Sequence, residues 1–284
     1  QNTDVENIRA EMALYGRDSV QNGNFKAYFF QSKRGLPGAT IFYNTANFSS
    51  QRITDRDFFA QGHFERQLIP QVTIQLNAKY QYSFTHYLDP VYLGSLGKEE
   101  NFYHQQEGYL NAGVLYNVLH CLSFSFNTDG IISALNADLQ DFAKPVRYQW
   151  LTSVSGKYVN SWVVASATAL FTLVDEKVQS GNASKGYFRV NPFVSATFKP
   201  FNKINLRFRV FYKNIFRLPT FNDLYYGRVG NINLKPESTN QYNIGVTYQA
   251  YLADFLPKVM LSCDVYHNSV KDKIVAYPTK NIYI

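Results

Sequence analysis

From Val72 to Leu88 the chain alternates without a break. Val72, Ile74, Leu76, Ala78, Tyr80, Tyr82 and Phe84 fall on one side, and Thr73, Gln75, Asn77, Lys79, Gln81, Ser83 and Thr85 on the other. Successive side chains of a strand point to opposite faces, so this stretch is a single strand with one apolar and one polar face. Globular strands typically run about 5–6 residues, and a run this long needs a tall wall to belong to. Its aromatics gather at one end, where an interfacial girdle would hold them. Mean hydropathy is -0.27, and no window approaches the roughly 18 uninterrupted apolar residues of a spanning helix. A helical membrane protein is thereby excluded. A transmembrane β-barrel is not, because strands with one lipid face and one wet face average out to a polar sequence.

The two-sided pattern recurs along the chain and predicts about thirteen strands, over residues 8–15, 25–31, 40–45, 57–66, 72–88, 108–118, 122–127, 146–158, 162–174, 187–199, 203–213, 241–252 and 259–269. Connections near residues 35, 69, 120, 160, 201 and 256 are short, and those near 20, 50, 97, 136, 180, 226 and 275 are mostly longer. Outer-membrane barrels alternate their turns and loops in this way. In lipid every backbone N–H and C=O must be paired, so such a sheet has to close. The competing fold is an antiparallel β-protein in water, although nothing there would keep loop lengths in phase with two-faced strands. No Pro/Gly/Ser-rich linker divides the chain, which reads as one partial barrel domain over residues 1–284. Aromatic content of 17%, with 22 Tyr and 23 Phe, favours strands. The formal charge of +7 is spread through alternating strands, which points to a solvated lumen and loops and not to nucleic acid.

Other chemistry is thin. Cys121 and Cys263 have no CxxC spacing and no His at metal spacing. Cys263 shares an apolar register with Val259, Leu261 and Val265 and is expected to face lipid, while a disulfide to Cys121 stays open. His63, His86, His104, His120 and His267 form no i, i+4 pair, so no metal site is expected. The GNASKG segment (181–186) misplaces its Lys for a phosphate loop and joins two strands. Asp129-Gly130 reads as a turn. No Gly-x-Ser-x-Gly or nucleophile–base set appears, so neither catalytic residues nor a cofactor is expected. The opening QNTDVENIRAEM carries no basic or apolar signal region, so an export signal has been removed or lies upstream.

Residues 214–239, NIFRLPTFNDLYYGRVGNINLKPEST, form a long irregular stretch between two clean alternations. Structureless loops above about 15 residues are usually functional. FRLPTFNDLYY (216–226) followed by GNINLKPEST (230–239) resembles the hallmark of TonB-dependent outer-membrane receptors. Arg217, Pro219, Thr220, Asp223, Leu224 and Tyr225 match its first half, with Asp223 where Glu is common, and Gly230, Asn231, Leu234, Lys235, Pro236 and Glu237 match the second. Weaker echoes, RGLPGATIFYN (34–44) and VKDKI (270–274), resemble receptors of Bacteroides-like bacteria. The resemblance implies a barrel of about 22 strands filled by an N-terminal plug. It also implies outer-membrane lipid and lipopolysaccharide around the wall, an inner-membrane TonB complex acting through the plug, and energy-coupled uptake of a scarce nutrient such as a ferric siderophore, cobalamin or haem. Nothing here reads as plug, and no terminal strand ends in an aromatic. An odd strand count cannot complete a barrel, so an internal fragment of a receptor barrel is expected. The alternative is a passive porin, or a structural or adhesive barrel without a plug.

Within the motif, Pro219 and Pro236 end strand pairing. Arg217 or Lys235 is expected to pair with Asp223 or Glu237, bracing the base of an extracellular loop rather than touching ligand. Ligand contacts would lie on outer loops, where Tyr103, His104, Tyr226 and Arg228 are candidates, an exposed His or Tyr being suited to haem.

Overall fold

A computed structural model describes residues 2–37, 50–92, 97–225, 230–251 and 258–275. Twelve strands follow one another: β1 (Val5–Arg17), β2 (Gln21–Gly35), β3 (Arg52–Ile69), β4 (Val72–Asp89), β5 (Glu99–Leu119), β6 (Leu122–Ala137), β7 (Val146–Val159), β8 (Val163–Lys177), β9 (Tyr187–Phe198), β10 (Asn205–Arg217), β11 (Glu237–Ala250) and β12 (Val259–Lys271). One short helix, α1 (Phe221–Tyr225), sits between β10 and β11. The strands form a single sheet in chain order, each antiparallel to its neighbours. A tilted strand crosses a bilayer in about 9–11 residues, and the shortest strand here, β9, has 12.

The registers carry the alternation across the whole wall. Phe64, Leu76 and Ala112 lie side by side on β3, β4 and β5, and Gly130, Trp150 and Leu173 do so on β6, β7 and β8. The opposite face aligns Gln61, Lys79 and Tyr109. Apart from prolines, only eight apolar residues are buried among those described, while Leu76, Leu110, Ile132, Trp150, Leu173, Phe188, Ile244 and Val265 are among many left exposed on one face. An apolar surface of this extent is untenable in water, so this is the outer, lipid-facing side and the polar face is the lumen. The water-soluble alternative is excluded by the same observation. The polar face carries its own ladder of bonds. His63 Nδ1 and Asn77 Oδ1 are 2.7 Å apart, Asn77 Nδ2 donates to Asn111 Oδ1 at 2.8 Å, and Asn111 Nδ2 and Tyr109 Oη both donate to Asp129 Oδ1, at 2.6 and 2.9 Å.

Several expectations are corrected. Among the described residues the sheet has twelve strands, against the about thirteen expected. β2 pairs residue by residue with β3, from Gln21 opposite Arg66 to Gly35 opposite Arg52, so no strand is inserted between them. The strand expected at 40–45 lies outside the described residues. The first two connections also exchange roles, residues 18–20 making the tight turn and 36–51 the long connection. Asp18 explains the tight turn, since its Oδ1 accepts the N–H groups of Val20 and Gln21 at 2.8 and 3.0 Å. Strands run further than the apolar pattern indicates. Residues 99–105 belong to β5 and residues 128–137 to β6, so Asp129-Gly130 is mid-strand and not a turn. Polar residues and glycine within these strands, such as Thr128, Asp129 and Gly130, look like loop in sequence. Both cysteines are free, so there is no Cys121–Cys263 disulfide, and Cys263 is exposed on the outer register. The described sheet is open, with β1 and β12 each paired along one edge.

Candidate functional site

The loop between β10 and β11 is built from its motif outward. Thr220 caps α1 reciprocally: Thr220 Oγ1 accepts the Asp223 N–H at 3.2 Å, and Asp223 Oδ2 accepts the Thr220 N–H at 2.8 Å. This is a capping box with Asp in the place usually held by Glu or Gln. Past the helix the chain turns back, Asn231 N–H donating to the Asp223 carbonyl at 2.8 Å and Leu234 N–H to the Asn231 carbonyl at 3.2 Å. Asn231 Oδ1 accepts the Asn233 N–H at 3.0 Å, which tightens the turn that Gly230 opens.

Capped in this way, α1 lays Phe221, Leu224 and Tyr225 onto the luminal face, where they bury with Leu135 and Ala137 of β6 and with Phe142. Leu224 and Pro219 are among the most completely enclosed side chains of the described residues. Tyr103 and Leu234 pack at the margin of this cluster. Beneath it lie Arg147 of β7 and Glu176 of β8, opposite each other in register. Arg147 Nε donates to Glu176 Oε2 at 2.6 Å, and Arg147 Nη1 donates to the Pro219 carbonyl at 2.9 Å. The guanidinium carbon stands 4.8 Å from the Phe221 ring centre. Tyr225 Oη donates to Glu176 Oε1 and accepts the Ser184 N–H at 3.3 Å. Burial first, then the bond to Glu176, push the Tyr225 phenol well above its ordinary range. A buried ion pair is tolerable only when its remaining groups are bonded, and here the loop supplies those bonds.

At the base of the loop Arg217 Nη1 donates to Glu237 Oε2 at 3.0 Å, and Glu237 Oε1 accepts the Ile274 N–H at 2.6 Å. Of the pairings the sequence allowed, this is the one brought into contact. Asp223 caps the helix instead, Lys235 is exposed and makes no ion pair among the described residues, and Pro236 is buried. Tyr103 and His104 are not on a loop but in β5. Adjacent residues on a strand point to opposite sides, so Tyr103 joins the luminal cluster while His104 faces outward, its Nδ1 2.7 Å from Tyr82 Oη. They form no joint site. Tyr226 and Arg228 lie outside the described residues. Arg147 and Glu176 were absent from the sequence-based candidates, because as lone charges near strand ends they look like solvated residues until register places them together. Among the described residues no group of three or more His, Cys, Asp or Glu side chains is placed to hold a metal ion.

Long antiparallel strands, an apolar belt outside, a polar lumen and a capped loop folded into it define an outer-membrane β-barrel wall. Residues 6–284 match the family described as TonB dependent receptor-like, beta-barrel, and the chain belongs to that family. Over 64 residues it is 39% identical to the vitamin B12 transporter BtuB of Vibrio vulnificus (strain YJ016), a stretch covering 22% of this chain and 10% of that protein. The structure of the copper transporter OprC superposes with a TM-score of 0.77 at 11% identity, over 97% of this chain and 47% of that one. BauA, the ferric preacinetobactin receptor from Acinetobacter baumannii, gives a TM-score of 0.64 at 9% identity, over 94% and 52%. At these identities the structural likeness speaks for the fold alone. The chain spans about half the length of these solved relatives and a much smaller part of the curated one.

Proposed function

We propose that this chain is the barrel portion of a longer receptor that takes up a scarce nutrient, a ferric siderophore, cobalamin or haem, across the outer membrane. The single observation that carries this reading is the motif loop, folded over the luminal wall and bonded to a buried ion pair by Pro219 and Tyr225. The loop so anchored is the segment that carries the receptor motif, and barrels with a lumen occupied by loops or a helix stand apart from simple water-filled channels. The names of the relatives, a vitamin B12 transporter and a ferric siderophore receptor, support the choice of cargo class. The half-length coverage of the solved relatives supports a larger barrel.

In this reading energy arrives from the inner-membrane TonB complex through a plug that other residues supply, lipid and lipopolysaccharide surround the wall, and no catalysis is involved. The echo of Bacteroides-like receptors belongs to the same proposal. Arg217, Pro219, Thr220, Asp223, Leu224, Tyr225, Gly230, Asn231, Leu234, Lys235, Pro236 and Glu237 then serve as framework for the loop, and cargo contacts lie elsewhere. The test is uptake of labelled cobalamin, haem and ferric siderophores by cells with and without the gene, in the presence and absence of a working TonB complex. Uptake of one cargo that requires both is the expected result. Uptake that persists without the TonB complex would favour the passive pore and contradict the proposal.

A further inference from the structure

The ladder of hydrogen bonds on the luminal face has a direction. An ionised carboxylate can only accept, and Asp129 takes Asn111 Nδ2 at 2.6 Å and Tyr109 Oη at 2.9 Å. Asn111 Oδ1 is thereby left to accept from Asn77 Nδ2 at 2.8 Å, and Asn77 Oδ1 then faces His63 Nδ1 at 2.7 Å. The network therefore assigns a proton to Nδ1 of His63. In the neutral ring Nε2 keeps its lone pair, and that nitrogen has no partner among the described residues. His63, Asn77, Asn111 and Asp129 stand in one register row from β3 to β6, so a carboxylate on β6 sets the tautomer of an imidazole three strands away.

His63 lines a hollow of about 210 Å³ in the luminal wall together with Asn24, Gln61, Asn77, Lys79 and Tyr109. Lys79 is half-buried there and makes no ion pair among the described residues. Its Nζ donates to Gln81 Oε1 at 2.8 Å and lies 5.5 Å from the Phe59 ring centre, which leaves N–H groups for an occupant. The carboxylates on neighbouring strands are engaged elsewhere. Asp129 ends the ladder, Glu107 accepts the Ser133 hydroxyl at 3.0 Å, and Glu11 pairs with Lys26 at 2.9 Å and Arg9 at 3.3 Å. One lining thus holds an ammonium without a counter-ion and an imidazole nitrogen that accepts.

We propose that this hollow binds a small oxyanion that carries its own hydroxyl, a hydroxycarboxylate or hydrogen phosphate group, with the anionic oxygens on Lys79 and the O–H donating to His63 Nε2. The half-buried charge of Lys79 selects an anion. The lone pair on His63 repels a bare oxyanion and is satisfied by an O–H, so the two side chains together ask for both functions on one group. A hollow of this size holds such a group and not a whole siderophore, corrin or porphyrin. The same chemistry is offered by a free acid in the lumen and by an acidic arm of the nutrient carried. The site depends on the polar face being luminal, and only the second source rests on the uptake reading above.

Malate and succinate carry the same charge on the same carbon chain and differ by one hydroxyl. Titrated into the native protein, purified whole in detergent, malate is expected to bind about tenfold more tightly than succinate. Lys79→Gln loses both acids, while Lys79→Arg, which keeps the charge, retains them. His63→Phe brings malate down to the level of succinate and leaves succinate unchanged. Asp129→Asn, which frees the ladder to reverse, narrows the preference without touching the hollow. Heat-modifiable migration checks that each variant is folded. Uptake of labelled nutrient then separates the sources: slower uptake of one nutrient in Lys79→Gln puts the acid on the cargo, and unchanged uptake beside malate binding puts it on a free acid. No detectable binding of malate, equal binding of the two acids, or a preference that survives His63→Phe would overturn the proposal.

Discussion

Arg147 and Glu176 face each other across β7 and β8 at 2.6 Å, buried on the luminal side, and the loop that closes over them completes their hydrogen bonding. The pair and the loop therefore stand or fall together. Replacing Arg147 with Met leaves the Glu176 carboxylate buried and unpaired, a loss of about 3–5 kcal/mol. Limited proteolysis within residues 218–236 is expected to accelerate strongly in R147M, and the double variant R147M/E176L is expected to recover much of the protection because no charge remains stranded.

Tyr225 adds a pH dependence whose sign follows from the direction of its shift. Its folded-state pKa is raised above the ordinary value of about 10. The contribution is therefore fully present below about pH 10 and is lost as pH rises through the higher folded value. The difference in phenolate absorbance between the wild type and Tyr225→Phe should show one tyrosine still protonated above the bulk transition. At neutral pH the same substitution removes a bond to a buried carboxylate, at a cost of about 1–3 kcal/mol.

The helix cap is separable from the ion pair. Thr220→Ala removes the acceptor for the Asp223 N–H and should destabilise the loop by about 1 kcal/mol, whereas Thr220→Ser keeps the oxygen and most of the stability. Amide exchange at Asp223 distinguishes the two variants, rising in the first and holding in the second.

Much of the wall was legible because the apolar pattern of a membrane strand is written directly by its solvent. Val72 to Phe84 alternates in sequence, and β4 presents the same residues to lipid. What escaped was whatever depends on register. Asp129-Gly130 resembles a turn locally, yet Asp129 accepts bonds from Asn111 and Tyr109 across β5 and β6. His104 resembles an exposed loop residue, but its partner Tyr82 lies on β4, and no local rule reveals that. The motif was found as a string, while its anchor on Arg147 and Glu176 lies 72 and 49 residues away in sequence from Pro219 and Tyr225.

The tight turn after β1 is also testable. Asp18 is fully exposed, and the N–H groups of Val20 and Gln21 hold its carboxyl below the usual range. A depressed folded value means the turn is held above the ordinary carboxylate pKa of about 3.9 and released as pH falls through the lower one. Asp18→Ala should raise amide exchange at Val20 and Gln21 at neutral pH, and acidification should do the same to the wild type.

The most direct measurement is a spin-label scan along β7 of the native protein in lipid, with Cys121 and Cys263 first replaced by Ser. Labels at Trp150, Thr152 and Val154 are predicted to meet dissolved oxygen as lipid-facing sites do, and those at Leu151, Ser153 and Ser155 to be shielded from it. An oxygen accessibility that alternates with a period of about two residues is the result a two-faced membrane wall requires. Uniform accessibility, or exposure of both sets to a water-soluble relaxant, would contradict it.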